Sequence, residues 1–104
     1  MIKVSVMYPS GPDARFDMDY YRDRHMPMVQ ARMGSALKFY TVDRGLAGGA
    51  PGQPPVYAAA AHLHCESVEA FQASFAQHGR ELLADVPNFT DITPVIQVSE
   101  VVVG

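Results

Sequence analysis

The chain has 104 residues and a net charge of −3, with 48% of its residues hydrophobic and 18% charged. That balance fits one folded domain over residues 1–104 and excludes a disordered chain. The Lys and Arg residues are scattered, which gives no basic field for nucleic acid or anionic lipid, and no apolar run nears the ~20 residues that span a membrane.

Residues 2–8 alternate, with Ile2, Val4, Val6 and Tyr8 on one face and Lys3, Ser5 and Met7 on the other. This is strand period, not the pattern of a leader peptide. Pro9-Ser10-Gly11-Pro12 ends the strand. Asp17 is the expected N-cap of a first helix, with Phe16 packing onto its first turn. Met18, Tyr21, His25, Met28, Val29 and Arg32 then recur at spacings of three and four, and Gly34 is the expected stop. Two features of this helix exceed what core filling requires. His25 lies on the apolar face, and Pro27, which has no N–H, leaves the Asp23 carbonyl without its helical partner.

Residues 36–43 form a second strand, rich in aromatic and β-branched side chains. Gly45 to Pro55 holds four glycines and three prolines, so it reads as a loop, and it lacks the Gly-Lys-Ser/Thr of a phosphate cradle. Residues 56–65 are a third strand. Ser67 caps a second helix whose Val68, Phe71, Phe75, His78 and Leu82 share one stripe, and Pro87 ends it. A last strand runs from Ile92 to Val103. The single cysteine, Cys65, excludes an intrachain disulfide, fits a reducing cytoplasm, and reads as a small buried hydrophobe.

The order β-α-β-β-α-β is that of the ferredoxin-like α+β fold, a four-stranded antiparallel sheet with both helices on one face. The last strand carries β-branched residues on both faces, so the second sheet face reads as apolar. A second copy of the sheet is its expected cover, giving a homodimer through the sheet face.

The chemistry centres on His25, an imidazole that titrates near neutral pH and exchanges protons with a bound molecule. Tyr21, one turn earlier, is placed to hold its tautomer or to donate to a substrate oxygen. The competing reading of His25 is a core histidine bonded to a backbone carbonyl. The small side chains Ala58 to Ala61 leave space above the sheet, either for close helix packing, the commoner outcome, or for a ligand cavity. Tyr8, Met28, Phe39, Phe75 and Phe89 are the candidate contacts around that space for a flat hydrophobic ligand, with Tyr40 and Phe71 beside them. His62 and His64 share a strand face, but nothing in the spacing supplies the further ligands a metal needs, so no metal or other cofactor is expected. Asp85 is assigned to the helix end and Asp91 to the turn after it. No Ser-His-Asp arrangement or dinucleotide fingerprint stands out.

Four separated stretches also resemble the EthD family, named after a protein of ethyl tert-butyl ether degradation. They are Phe16-Asp17 with Tyr20-Tyr21 and His25-Met26-Pro27, then Glu66-Ser67-Val68-Glu69-Ala70-Phe71, Ala84-Asp85-Val86-Pro87-Asn88-Phe89, and Gln97-Val98-Ser99-Glu100-Val101. The chain departs from the family pattern at His64-Cys65. The resemblance implies a dimeric α+β barrel and three functional readings. The first is a cofactor-independent enzyme of aromatic or polyketide-like metabolism, with His25 as acid/base and Tyr21 as donor for isomerisation, dehydration or oxidation. The second is a non-catalytic accessory protein that holds a hydrophobic molecule for a partner oxygenase. The third is a haem-binding protein with His25 as axial ligand.

Overall fold

The computed structural model describes residues 1–104 and carries the expected order of elements. Strands β1 (Ile2–Pro9), β2 (Leu37–Arg44), β3 (Tyr57–Cys65) and β4 (Val95–Glu100) form one antiparallel sheet in the order β2-β3-β1-β4. The helices lie on one face, giving a two-layer slab of 40 × 34 × 19 Å.

The first helical segment departs from a regular helix. It consists of α1 (Met18–Tyr20), a π-turn over Tyr21–His25, and α2 (Met26–Met33). Asp17 caps it as expected, its carboxylate accepting the Tyr20 N–H at 3.1 Å. The Met26 N–H then reaches back five residues to the Tyr21 carbonyl. Such a wide turn accommodates an extra residue without breaking the helix, and it is common at functional sites. It also moves Pro27 into the first turn of α2, where the missing N–H has no helical acceptor to satisfy. The simple expectation of a lone orphaned Asp23 carbonyl is therefore replaced by a local change of helix type. Gly34, at a φ of +56°, turns the chain out of α2.

The second helix, α3 (Val68–Ala84), is capped by Ser67, which accepts the Ala70 N–H at 3.1 Å. A 3₁₀ turn over Val86–Asn88 follows it. The segment after that turn is laced to the entrance of the first helix. The Asp17 N–H donates to the Phe89 carbonyl at 2.7 Å, and Thr90 Oγ1 donates to the Arg15 carbonyl at 2.6 Å. The Arg15 N–H donates to Asp91 at 2.9 Å, so the Asp91 carboxylate ties this segment to the helix entrance, a long-range role in place of the expected cap of its own turn.

Two expectations about the sheet are corrected. The last strand is shorter than residues 92–103, because Pro94 has no ladder donor and pairing ends at Glu100. The second face of the sheet is also more polar than expected. Ile96 and Val98 pair with Val6 and Val4 and so point to the helix side. The opposite face mixes Lys3, Ser5, Thr41, Asp43, His62 and Gln97 with Met7, Ala60, Val95 and Phe39.

Candidate functional site

A cavity of about 190 Å³ lies between the sheet and the helices, and 15 of its 17 lining residues are hydrophobic. Its floor is Val4 and Val6 of β1 with Ala61 and Leu63 of β3. Ala59 and Ala61 are the members of the alanine run that face the helices, and both are buried. Met26, Val29 and Met33 of α2 form one wall, and Phe71, Phe75 and Leu82 of α3 the other. Leu83 and Ile96 line the cavity while being about half exposed, which places its mouth beside the edge strand β4.

The polar groups cluster around His25, which is only 6% exposed. Its Nδ1 lies 2.9 Å from Asp85 Oδ2. The other carboxylate oxygen, Asp85 Oδ1, accepts from the Tyr20 hydroxyl at 2.7 Å and from the Asn88 amide at 2.9 Å. The imidazole stacks on the Tyr21 ring, with centroids 5.4 Å apart and planes 14° from parallel, and packs on Phe89 at 4.6 Å. It is thus fixed by a carboxylate at one edge and by aromatic rings around it. With Nδ1 donating to the carboxylate, Nε2 is left as an acceptor without a protein partner on a residue that lines the cavity.

The charges follow from the same contacts. Burial lowers the His25 pKa, and the Asp85 hydrogen bond and charge offset only part of that effect, so the imidazole is neutral near pH 7. Burial pushes the Asp85 carboxyl up, but hydrogen bonds from Tyr20, Asn88 and His25 outweigh it and hold the carboxyl below its usual range. Tyr8 is pushed up to about 12 by burial, with the Tyr21 hydroxyl pulling the other way. Tyr21 is raised further still, first by burial and then by Tyr8. Both phenols therefore stay protonated and able to donate.

Of the residues expected at the site, Tyr8, Tyr21, His25 and Phe75 come together around the cavity. Three others do not line it. Met28 is half-buried beside the core, and Met26 takes the inward position after the wide turn. Phe39 follows a register shift in β2 that turns it to the opposite face, where it stacks on His64 at 4.2 Å. Phe89 is fully buried behind His25 as a packing surface. The backbone-carbonyl partner considered for His25 is replaced by Asp85. That residue ends α3 as expected, but it also reaches the imidazole. Tyr20 and Asn88 complete the arrangement. Their sequence signals were the doubled Tyr20-Tyr21 and the Asp85-Val86-Pro87-Asn88 spacing.

His62 also meets an aspartate. Its Nδ1 lies 3.0 Å from Ser5 Oγ and its Nε2 3.1 Å from Asp43 Oδ2, on the open face of the sheet. This Ser-His-Asp chain, not evident in the sequence, sits on a flat sheet whose backbone N–H groups are committed to the ladders. No preformed donor pair faces Ser5 for an oxyanion. No group of three or more His, Cys, Asp or Glu is placed to hold a metal. Haem does not fit the cavity either: a space of about 190 Å³ is smaller than a tetrapyrrole, and no Lys or Arg lines it to meet propionates. Cys65 is buried, and burial pushes its thiol pKa up, which makes it inert.

The sequence model of the EthD domain matches residues 10–93. A Rhodococcus erythropolis protein, described as an uncharacterized 11.0 kDa protein in the thcB-thcC intergenic region, is 37% identical over 92 residues, covering 86% of this chain and 84% of that protein. The crystal structure of an EthD-like protein from Ralstonia eutropha superposes with a TM-score of 0.95 at 58% identity, covering 98% of this chain and 92% of the other. An ethyl tert-butyl ether degradation family protein from Bacillus halodurans superposes with a TM-score of 0.65 at 15% identity, over 96% and 97% of the two chains, and so shares the fold.

Proposed function

The chain belongs to the EthD family, and we propose that it performs cofactor-independent acid/base chemistry, through His25, on a hydrophobic aromatic or polyketide-like molecule held in the cavity. The observation that carries this reading is the 2.9 Å contact between His25 Nδ1 and Asp85. It fixes the tautomer and orients the imidazole so that Nε2 is the base. Nε2 takes a proton from a carbon beside a substrate carbonyl. The oxygen of the resulting enolate accepts a hydrogen bond from a buried phenol, Tyr21 or Tyr8. Return of the proton to a different carbon completes an isomerisation; expulsion of a β-hydroxyl, protonated by the imidazolium, completes a dehydration.

The test is turnover by His25→Gln against wild type on hydroxylated monocyclic and bicyclic ketones. Equal rates would refute the acid/base role. A second reading, an accessory protein that holds a hydrophobic molecule for a partner oxygenase, is favoured by how few polar groups line the cavity. It is the better account if wild type binds such molecules and converts none of them.

The proposal includes a homodimer packed through the open sheet face. Met7, Phe39 and Val95 sit there without helix cover, and Phe39 and Val95 are about half exposed. Sedimentation at micromolar concentration tests it, and a monomer of 11.4 kDa would overturn it. No helix is long and apolar enough to cross a membrane, and a cytoplasmic location is part of the proposal.

A further inference from the structure

Helix α3 holds a glycine where a helix has least use for one. Gly79 lies in the interior of a 17-residue helix, well before its C-cap at Asp85, and it is buried. It marks neither a stop nor a bend, and its φ is not positive. Glycine ranks below every residue but proline as a helix former, so an interior glycine in a packed helix points to a space requirement.

The space belongs to Phe75. A Cβ at position 79 would lie 2.9, 3.0 and 3.1 Å from Cε1, Cδ1 and Cζ of the Phe75 ring, one turn earlier. The ring therefore lies along its own helix toward the following turn, over the bare backbone of Gly79. In that position it stacks with Phe71, with centroids 5.6 Å apart, and the two rings form the α3 wall of the cavity. With a side chain at 79 the ring has to shift away from the helix backbone, and the open volume beside it is the cavity it lines.

We infer that Gly79 is a specificity-determining residue: it holds the Phe75 ring out of the cavity and so sizes the site for a neutral molecule of about one aromatic ring. The inference rests on the reading of this cavity as the ligand site. The size follows from volume, since an apolar cavity of about 150 Å³ accepts benzene and this one measures about 190 Å³. One ring with a short substituent fits, and three fused rings do not. The neutral charge follows from the lining. No Lys or Arg is present to receive an anion, and the Asp85 carboxylate directly behind His25 repels one. A cation has to give up its hydration to reach a carboxylate already occupied by His25, Tyr20 and Asn88. The single polar function of such a ligand is met at the His25 end, by the imidazole and the two phenols.

Calorimetric binding of p-cresol and of hydroxyanthracene to wild type, Gly79→Ala, Phe75→Ala and the double variant tests the inference. Wild type is expected to bind p-cresol and to exclude hydroxyanthracene. Gly79→Ala weakens p-cresol by about tenfold or more, because the displaced ring fills part of the site. Phe75→Ala admits hydroxyanthracene. In the Phe75→Ala background, Gly79→Ala has no effect on binding, since no ring remains to displace. Unchanged p-cresol affinity in Gly79→Ala overturns the inference, as does wild type that binds the three-ring phenol as tightly as p-cresol. If Gly79→Ala loses its helical circular dichroism, the Phe75→Ala protein decides: failure to admit hydroxyanthracene overturns the inference. Wild type that binds neither phenol refutes the cavity as a ligand site, and the size rule falls with it. Binding that obeys the size rule while His25→Gln leaves turnover intact refutes only the acid/base role.

Discussion

The molecule contains two histidine–aspartate pairs, one on each face of its sheet, and by distance they are nearly the same. His25 meets Asp85 at 2.9 Å and His62 meets Asp43 at 3.1 Å. Their settings differ. The side chains of the first pair are 7% and 16% exposed, those of the second 21% and 59%. Asp85 is gripped by Tyr20 and Asn88, while Asp43 has only His62. His62 uses both ring nitrogens within the protein, on Ser5 and Asp43, whereas His25 uses only Nδ1 and lines the cavity. The two pairs thus share a carboxylate contact and differ in burial and in whether the second ring nitrogen is committed within the protein.

The largest test of that contrast is catalytic. His25→Gln is expected to lower turnover by about a hundredfold to ten-thousandfold, the usual worth of a general acid or base, while His62→Gln leaves it unchanged. Equal losses in the two variants would break the comparison. Stability comes next. Asp85→Asn removes a buried charge-assisted network and is expected to lower the unfolding free energy by about 1.5–3 kcal/mol, whereas the exposed Asp43→Asn stays within about 1 kcal/mol. Urea unfolding of the two proteins measures both. Tyr20→Phe deletes one donor to Asp85 and is expected to give a smaller loss than Asp85→Asn in the same assay.

The smallest effect concerns pH and sharpens the comparison rather than breaking it. The folded His25 pKa lies below the reference 6.5, so the folded chain binds this proton less readily than the unfolded one, and stability declines as pH falls through 6.5 toward the folded value. Asp85, held below 3.8, adds stability that is present above 3.8 and lost as pH falls through its folded pKa. Both groups thus weaken the fold on the acid side. Asp85 is what raises the His25 pKa against burial, so Asp85→Asn should lower it further in an NMR titration of the imidazole. A rise would refute the assigned contact.

Much of this architecture was legible in the residues. Alternation in residues 2–8, the Asp17 and Ser67 caps and the turn signals gave the strand and helix order, because each depends on neighbours in sequence. His25 stood out because a polar ring on an apolar helix face is locally anomalous. The π-turn was not legible, since choosing it over a Pro27-disrupted α-helix depends on how the segment docks. The sequence pattern puts Phe39 on the cavity side, but a register shift in β2 inverts the alternation there. Asp85 was legible as a helix end but not as the partner of His25, because that contact joins residues 60 apart.

Those long separations also bear on when the site forms as the chain folds. The bonds that hold His25 and the entrance of its helix come largely from residues 85–91: Asp85 to His25 and Tyr20, Thr90 to Arg15, Arg15 to Asp91. They close loops of 60 to 76 residues, and the closure entropy falls due before any of these bonds is made. The first helix is therefore able to form early, while the imidazole becomes an oriented base only when the last quarter of the chain docks. Titration of His25 is accordingly a clock for the final closure. A chain with every helix formed but this seam open would resemble the folded protein in helical content and lack its site.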